Sequence, residues 1–172
     1  MNGAPIPAPI IVTALLGAED FAYFDRLRRA HFPPERNQLD AHLTLFHHLP
    51  PGIASELKAR LAEAVRGPAP AAMLAGVISL GSGVAFRIES NGLDAIRDDL
   101  KHAFSGLLTP QDSAGWRAHV TVQNKVEPHV ARALKAELET GFVPRPIRIT
   151  GLAAWWYRGG PWEPLSRHMF RG

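Results

Sequence analysis

The sequence predicts an α+β fold, because strand-like and helix-like patterns alternate along it in the order β-α-β-α-β-β-α-β-α-β-β. Its 172 residues match the size of one domain. The pattern also divides near residue 75 into two halves of similar make-up. We therefore expect a single domain over residues 1–172, with two related halves joined by many glycine- and proline-rich turns.

The first half begins with a continuous apolar run at residues 10–16, which is typical of a buried strand. Apolar side chains at helical spacing predict helices at 19–31 and 55–65, each followed by a proline-containing turn. Between them, the alternating residues 42–49 predict a second strand. The first half is therefore expected to read β-α-β-α.

The second half begins with an expected β-hairpin, in which strands at 73–80 and 84–89 flank Gly81-Ser82-Gly83. Asn91 is in position to cap a third helix, since Asp94 follows it by three residues as in a capping box. The remaining predicted elements are a strand at 119–126, a helix at 128–140, and strands at 147–157 and 165–170.

Composition excludes several kinds of chemistry. The chain has no cysteine, which rules out disulfides, thiolate metal sites and a cysteine nucleophile. The net charge of +3 is concentrated at the end, where five arginines accompany one glutamate from residue 141 onward. Such a surplus suits an anionic partner such as a phosphate, but it is too sparse for duplex DNA. No membrane segment is expected, and we expect a cytoplasmic monomer.

Two segments carry the same pattern. Residues 41–45 and 118–122 both read Ala-His-aliphatic-Thr-aliphatic, 77 residues apart, and both fall on predicted strands. Residues i and i+2 of a strand share a face, so each histidine should point the same way as its threonine. The aliphatic residues should point into the core. Two matching copies in equivalent places of two halves indicate a shared functional groove.

The residue types in this pattern suit reactions at phosphorus. Histidine changes charge near neutral pH, so a neutral imidazole can accept a proton while an imidazolium donates one. Threonine hydroxyls can donate hydrogen bonds to the non-bridging phosphate oxygens. Such a site requires no metal and no cofactor. An alternative is a zinc site formed by three imidazoles, those of His42, His48 and His119.

The same alternation adds two candidates. It places Phe46 on the face of His42, where the ring would either stack on a base or end the strand in the core. It places Lys125 on the face of His119, where the ammonium could bind a phosphate. The aromatic run at 155–157 could form a wall of the cleft, although a strand must turn at least one of its rings to the core.

The paired motifs, His42-Leu43-Thr44-Leu45 and His119-Val120-Thr121-Val122, resemble those that define the 2H phosphoesterases, the LigT or 2′-5′ RNA ligase-like superfamily. The resemblance implies an α+β fold with two pseudo-symmetric βα lobes, whose antiparallel sheets surround a central cleft. It implies metal-independent hydrolysis of a 2′,3′-cyclic phosphate at an RNA 3′ end or in a small cyclic nucleotide. His42 and His119 would be the acid–base pair, and Thr44 and Thr121 the phosphate anchors.

The stretch after the first motif differs from the better-known RNA cyclic phosphodiesterases, because Phe46-His47-His48 replaces a Phe-Leu-Gly-like sequence. Residues 31–36 and 41–49 look more like the bacterial 2′-5′ RNA ligase family proteins of undefined substrate. Two alternatives to hydrolysis remain open at this point. They are RNA 2′-5′ ligation by the same four residues, and a module that binds an RNA end or a nucleotide without catalysis.

Overall fold

A computed structural model describes residues 7–171 of the chain. Within this part, no helix is long and apolar enough to cross a membrane. Short 3-10 turns lie at Pro34–Arg36 and Pro51–Ile53. The strands are β1 (Ile10–Leu16), β2 (Leu43–Leu49), β3 (Ala71–Ser79), β4 (Val84–Glu89), β5 (His119–Gln123), β6 (Arg145–Trp156) and β7 (Glu163–Met169). The helices are α1 (Ala18–His31), α2 (Ala54–Ala64), α3 (Asn91–Ala103), α4 (Pro110–Ser113) and α5 (Pro128–Glu139).

The strands form one antiparallel sheet in the order β2-β1-β6-β3-β4-β5, with β7 also paired to β6. The long strand β6 serves two groups of strands. Its first part, residues 145–148, pairs with β3, and the rest pairs with β1 and β7. We call β1, β2, β7 and the second part of β6 lobe 1, and β3, β4, β5 and the first part of β6 lobe 2. The predicted α+β class and element order are confirmed, and the short helix α4 is an addition.

The two ends of the strand order meet. Strands β2 and β5, which carry the two motifs, pack directly against each other although they are the outermost strands of the path. Helix α1 crosses from lobe 1 to pack against β5 of lobe 2. Buried apolar side chains of both lobes form one continuous cluster, so burial of apolar surface holds the lobes together as well as each lobe internally.

The expected capping residue of α3 is wrong by one position. Ser90, not Asn91, is the N-cap, and its Oγ accepts a hydrogen bond from the Leu93 N–H at 3.2 Å. Strand β4 ends at Glu89, which leaves Ser90 in the extended conformation that an N-cap requires. The Ser90 hydroxyl also donates to the Ala71 carbonyl at 2.7 Å, which ties the start of α3 to β3.

The hairpin between β3 and β4 has the expected glycine turn. Gly81 has a φ of +83°, a value that favours glycine, and the Leu80 N–H donates to the Gly83 carbonyl at 2.8 Å. A side chain at Gly83 would collide with the Gln123 carbonyl. This glycine therefore allows the hairpin to pack closely against the end of β5, the second motif strand.

Candidate active site

The two motif histidines are held in the same way. His42 Nδ1 lies 2.8 Å from the Asp40 carbonyl oxygen, and His119 Nδ1 lies 2.9 Å from the Arg117 carbonyl oxygen. A carbonyl oxygen only accepts, so Nδ1 must donate in both rings. Each Nε2 is therefore left to receive or deliver a proton. In both motifs the partner is the backbone two residues earlier, which is the duplication expected from the sequence.

Both motif strands also bend at the same place. In β2, Thr44 pairs with Thr13 but Phe46 pairs with the adjacent Val12, which leaves Leu45 as the extra residue of a β-bulge. In β5, Thr121 pairs with Ala85 and Gln123 with the adjacent Val84, so Val122 is the extra residue. Each bulge follows the motif threonine directly and reverses the facing of the residues beyond it.

The bulge corrects the placement of Phe46. Because Phe46 is opposite Val12, it faces the core rather than the cleft face of Thr44. Its side chain is fully buried, and the Arg97 guanidinium carbon lies 4.1 Å from the ring centroid. The expectation that Phe46 shares the motif face is therefore wrong, and its ring has no free face on which a base could stack.

Lys125 lies beyond the end of the second motif strand. Strand β5 ends at Gln123, and Lys125 lies in a turn with a φ of +61°. Gln123 itself is buried on the core side of the bulge. Lys125 is therefore not placed on the face of His119 by strand alternation, because the strand ends two residues before it.

His42 is held in its neutral form. Its pKa is lowered to about 4, chiefly because burial penalises the charged ring, although the hydrogen bond to the Asp40 carbonyl opposes this. Three neighbouring positive charges act in the same direction as burial, those of Arg28, His119 and His47. His119 is one of these neighbours, and the strands β2 and β5 pack against each other.

A buried arginine links helix α1 to the other lobe. Arg28 is 4% exposed, and its Nη1 donates to the Thr121 carbonyl at 3.1 Å. Its Nε lies within hydrogen-bond distance of the Asn37 side chain and the Leu39 carbonyl, just before the first motif. Arg28 therefore connects the backbone of the second motif to the loop that presents His42.

A second buried arginine makes the reciprocal connection. Arg97 of α3, in the second half of the chain, is also 4% exposed and donates from Nε to the Leu45 carbonyl at 3.1 Å. Its Nη2 donates to the Asp112 carbonyl at 2.7 Å. Trp116 adds a bond from its indole N–H to the Thr44 carbonyl at 3.0 Å. Each half of the chain thus holds the motif strand of the other half.

Asp112 fixes the far end of β2. Its buried carboxylate accepts hydrogen bonds from the backbone N–H groups of His47 and His48, both at 2.9 Å, and lies 3.3 Å from His47 Nδ1. Burial alone would raise the pKa of Asp112, but these hydrogen bonds outweigh it and leave the pKa below its ordinary value. His47 and His48 are therefore structural contacts of the strand end.

The cleft beside His42 is deep and partly aromatic. A cavity of about 890 Å³ is lined by His42, both strands β1 and β6, and β7. Trp162 meets His42 edge to face, with ring centroids 4.8 Å apart, and lies 6.4 Å from the Trp155 ring. The Trp155 indole N–H donates to Thr13 Oγ1 at 3.0 Å. Trp155 lines the cleft, and Trp156 packs against the core, so the aromatic run divides between the faces as expected.

Sequence periodicity does not reveal the residue opposite His119. Arg87 of β4 is its direct cross-strand partner, so the two side chains share a face and are neighbours. Arg87 is half-buried and forms an ion pair with Glu89. In lobe 1 the register of β1 and β2 ends at the pair Ala14–Leu43, and Leu15 and His42 line the same cavity. Among residues 7–171, no three histidine, aspartate or glutamate side chains form a group that could hold a metal ion.

Two facing strands with duplicated His-x-Thr motifs define a phosphoesterase-like protein of two related lobes. The profile of the family described as the 2′-5′ RNA ligase superfamily matches residues 17–161. The chain belongs to this superfamily, and so to the 2H phosphoesterases. A search of curated proteins finds no match.

Solved structures share the fold. The chain is similar to E. coli LigT in complex with 3′-AMP, with 20% sequence identity and a TM-score of 0.64 over 96% of this chain and 99% of that one. It is also similar to TT0787 of Thermus thermophilus, with 16% identity and a TM-score of 0.66 over 95% and 98% of the two chains. A third structure, described as a phosphoesterase, has 20% identity and a TM-score of 0.63 over 96% and 99%.

Proposed function

We propose that this protein is a metal-independent cyclic phosphodiesterase that hydrolyses a 2′,3′-cyclic phosphate of RNA or of a related nucleotide. The observation that carries the proposal is the matched pair of histidines, each with Nδ1 held by a backbone carbonyl and Nε2 left free. Membership of the 2′-5′ RNA ligase superfamily supports it. So do the complexes of E. coli LigT with 3′-AMP, NADP+ and ATP, since all three ligands are nucleotides.

In the proposed reaction, His42 is the general base and His119 the general acid. Burial keeps His42 neutral at pH 7, so its Nε2 can take a proton from the attacking water. The water oxygen forms a bond to phosphorus while the bond to one ribose oxygen breaks. His119 gives its Nε2 proton to that leaving oxygen, and exchange with solvent restores both rings.

Thr44 and Thr121 would bind the phosphate. Each threonine follows its histidine by two residues, and its hydroxyl can donate a hydrogen bond to a non-bridging phosphate oxygen. Negative charge accumulates on that oxygen in the transition state. Arg87, beside His119, adds a positive charge on the lobe 2 side. The substrate is an RNA 3′ end or a small cyclic nucleotide. A monomer would suffice, because one chain supplies all four motif side chains.

The test uses His42→Ala and His119→Ala, assayed on adenosine 2′,3′-cyclic phosphate and on RNA ending in a 2′,3′-cyclic phosphate. Each variant should lose about 10²- to 10⁴-fold in kcat, the usual contribution of one acid–base group. His129→Ala, an exposed histidine on α5, is the matched control and should keep full activity. Full activity in both site variants would refute the mechanism, and loss of wild-type activity in EDTA would favour the zinc alternative.

The superfamily description favours a second candidate, RNA 2′-5′ ligation. The same residues could direct a ribose 5′-hydroxyl, rather than water, onto the cyclic phosphate. The 5′ oxygen would bond to phosphorus and lose its proton to one histidine, while the bond to the 3′ oxygen breaks and the other histidine protonates that oxygen. RNA halves ending in a 2′,3′-cyclic phosphate and a 5′-hydroxyl would then join through a linkage that resists nucleases specific for 3′-5′ bonds. Tight binding of both substrates with no turnover would instead identify a non-catalytic binding module.

A further inference from the structure

The arginines near the end of the chain have separate environments. Arg145 pairs with Asp20 at 2.9 Å, and Arg158 pairs with Glu163 at 2.9 Å. Arg148 and Arg171 line a different, smaller groove. Arg167 is the one that lines the large cleft beside His42. The basic surplus seen in the sequence therefore contributes a single arginine to the site.

Arg167 stands in one row with the first phosphate anchor. Cross-strand pairing runs from Thr44 to Thr13, from Thr13 to Ala153, and from Ala153 to Arg167. Direct partners in an antiparallel sheet share a face, so all four side chains project from the same side of lobe 1. With strands about 4.8 Å apart, Arg167 lies about 14 Å from Thr44 between Cα atoms. The two residues between them are small and line the cavity, and Thr13 Oγ1 accepts the hydrogen bond from the Trp155 indole.

Arg167 shares the lining of the cavity with one acidic residue, Asp40. Within residues 7–171 its guanidinium has neither a hydrogen-bond nor an ion-pair partner, and the side chain is exposed to the cleft. The nearby walls are the indoles of Trp155 and Trp162. The cavity of about 890 Å³ is at the upper end of the range of about 300–1,000 Å³ that holds whole small-molecule ligands. A cyclic phosphate alone would fill little of it.

We propose that Arg167 forms a second anion-binding position, which holds a phosphate on the 5′ carbon of the sugar whose cyclic phosphate reacts. The reacting phosphate lies between the two motifs, the nucleoside lies along the wall formed by Trp155 and Trp162, and its 5′-phosphate reaches Arg167. This rests on the proposed function and narrows its substrate class. The preferred substrates are nucleotides or RNA ends with a 5′-linked phosphate, rather than free nucleoside cyclic phosphates.

Binding tests this position without requiring turnover. Isothermal titration would compare adenosine 3′,5′-bisphosphate with adenosine 3′-monophosphate in the wild type, Arg167→Gln and Arg171→Gln. Wild type should bind the bisphosphate about tenfold more tightly, the effect expected of one charge-assisted contact. Arg167→Gln should remove this preference while keeping its affinity for the monophosphate. Arg171→Gln, a matched charge removal in the other groove, should keep the preference.

Each other outcome has a definite meaning. The second anion position would be overturned if the wild type bound the bisphosphate and the monophosphate equally well, or if Arg167→Gln kept the preference for the bisphosphate. It would also be overturned if both variants lost that preference to the same extent. Failure to bind either ligand would overturn it as well. Hydrolysis of cyclic phosphates is measured separately on the same proteins. A tenfold binding preference without hydrolysis would keep the anion position and reject the proposed reaction, whereas hydrolysis without the preference would do the opposite.

Discussion

The two lobes carry the same apparatus in different surroundings. In both, a histidine is oriented by the carbonyl two residues before it, a bulge follows the threonine, and an arginine from the other half holds the strand. The neighbours differ, because the His42 ring meets Trp162, whereas Arg87 is the cross-strand partner of His119. The shared histidines and threonines are the groups that the proposed reaction at phosphorus would use. In that proposal, the unshared neighbours would give the two histidines different roles and shape the space for the substrate.

The largest effect should come from the arginines that cross between the halves. Arg97→Met should lower the free energy of unfolding by about 2–4 kcal/mol, because it leaves the Leu45 and Asp112 carbonyls unpaired in the core. Arg28→Met should lower the free energy of unfolding by a similar amount if the two arginines contribute equally. Urea unfolding measures both, with the exposed Arg132→Met as control. If one variant lowered the free energy of unfolding by less than about 1 kcal/mol, only the connection made by the other arginine would contribute substantially to stability.

The threonines test the duplication within the reaction itself. Thr44→Val and Thr121→Val should each reduce kcat by about 10²- to 10³-fold, as for loss of one donor to a developing negative charge. Thr→Ser at either position keeps the hydroxyl and should restore most of the rate. Steady-state kinetics on adenosine 2′,3′-cyclic phosphate would measure this. A large loss in one lobe and none in the other would contradict the equivalence of the two anchors.

The burial of His42 predicts a pH-dependent stability that originates in lobe 1. Its pKa is about 4 in the folded protein and about 6.5 in an unfolded chain, so the unfolded state binds the proton more strongly. Stability should therefore rise with pH between about 4 and 6.5. His42→Asn should remove about 1–3 kcal/mol of that rise. Urea unfolding at pH 4.5 and pH 7 measures this difference in the free energy of unfolding, and His129→Asn, at an exposed histidine, is the reference. If His42→Asn left the difference between the two pH values unchanged, the prediction would be wrong.

The smallest effect concerns Arg87, the cross-strand neighbour of His119 in lobe 2. Arg87→Gln should raise KM about three- to tenfold, because Arg87 is half-exposed and shares its charge with Glu89. The change in kcat should be smaller than for either threonine. Arg132→Gln serves as a charge-matched control away from the cleft. An unaltered KM would mean that Arg87 only pairs with Glu89.

The sequence is sufficient to predict the features that depend on residues close together along the chain. Hydrophobic periodicity and turn residues predict the strands and helices in their correct order, and the repeated His-x-Thr pattern identifies the two strands that meet. Periodicity also explains the failures. Strand alternation places Phe46 and Lys125 on the motif faces. A β-bulge, which depends on pairing with another strand, follows each motif threonine and reverses the alternation beyond it.

The remaining contributors to the site depend on contacts between distant parts of the chain. Arg28 contacts a carbonyl 93 residues away, and Arg97 contacts one 52 residues away. Arg87 and Arg167 join the cleft only through strand register, which a single sequence does not contain. Trp162 comes from a turn, where no periodicity indicates which way a side chain points. Local signals locate the candidate reacting groups, and tertiary pairing decides what surrounds them.

The shared strand β6 has a consequence for the order of assembly during synthesis. Before residue 145 is made, the first half has only the β1–β2 pair, and two strands alone are marginally stable in water. The second half already has the three-stranded β3–β4–β5 unit and helix α5 against it. We therefore expect the half of the chain that emerges first from the ribosome to complete its sheet last, when β6 pairs with β1.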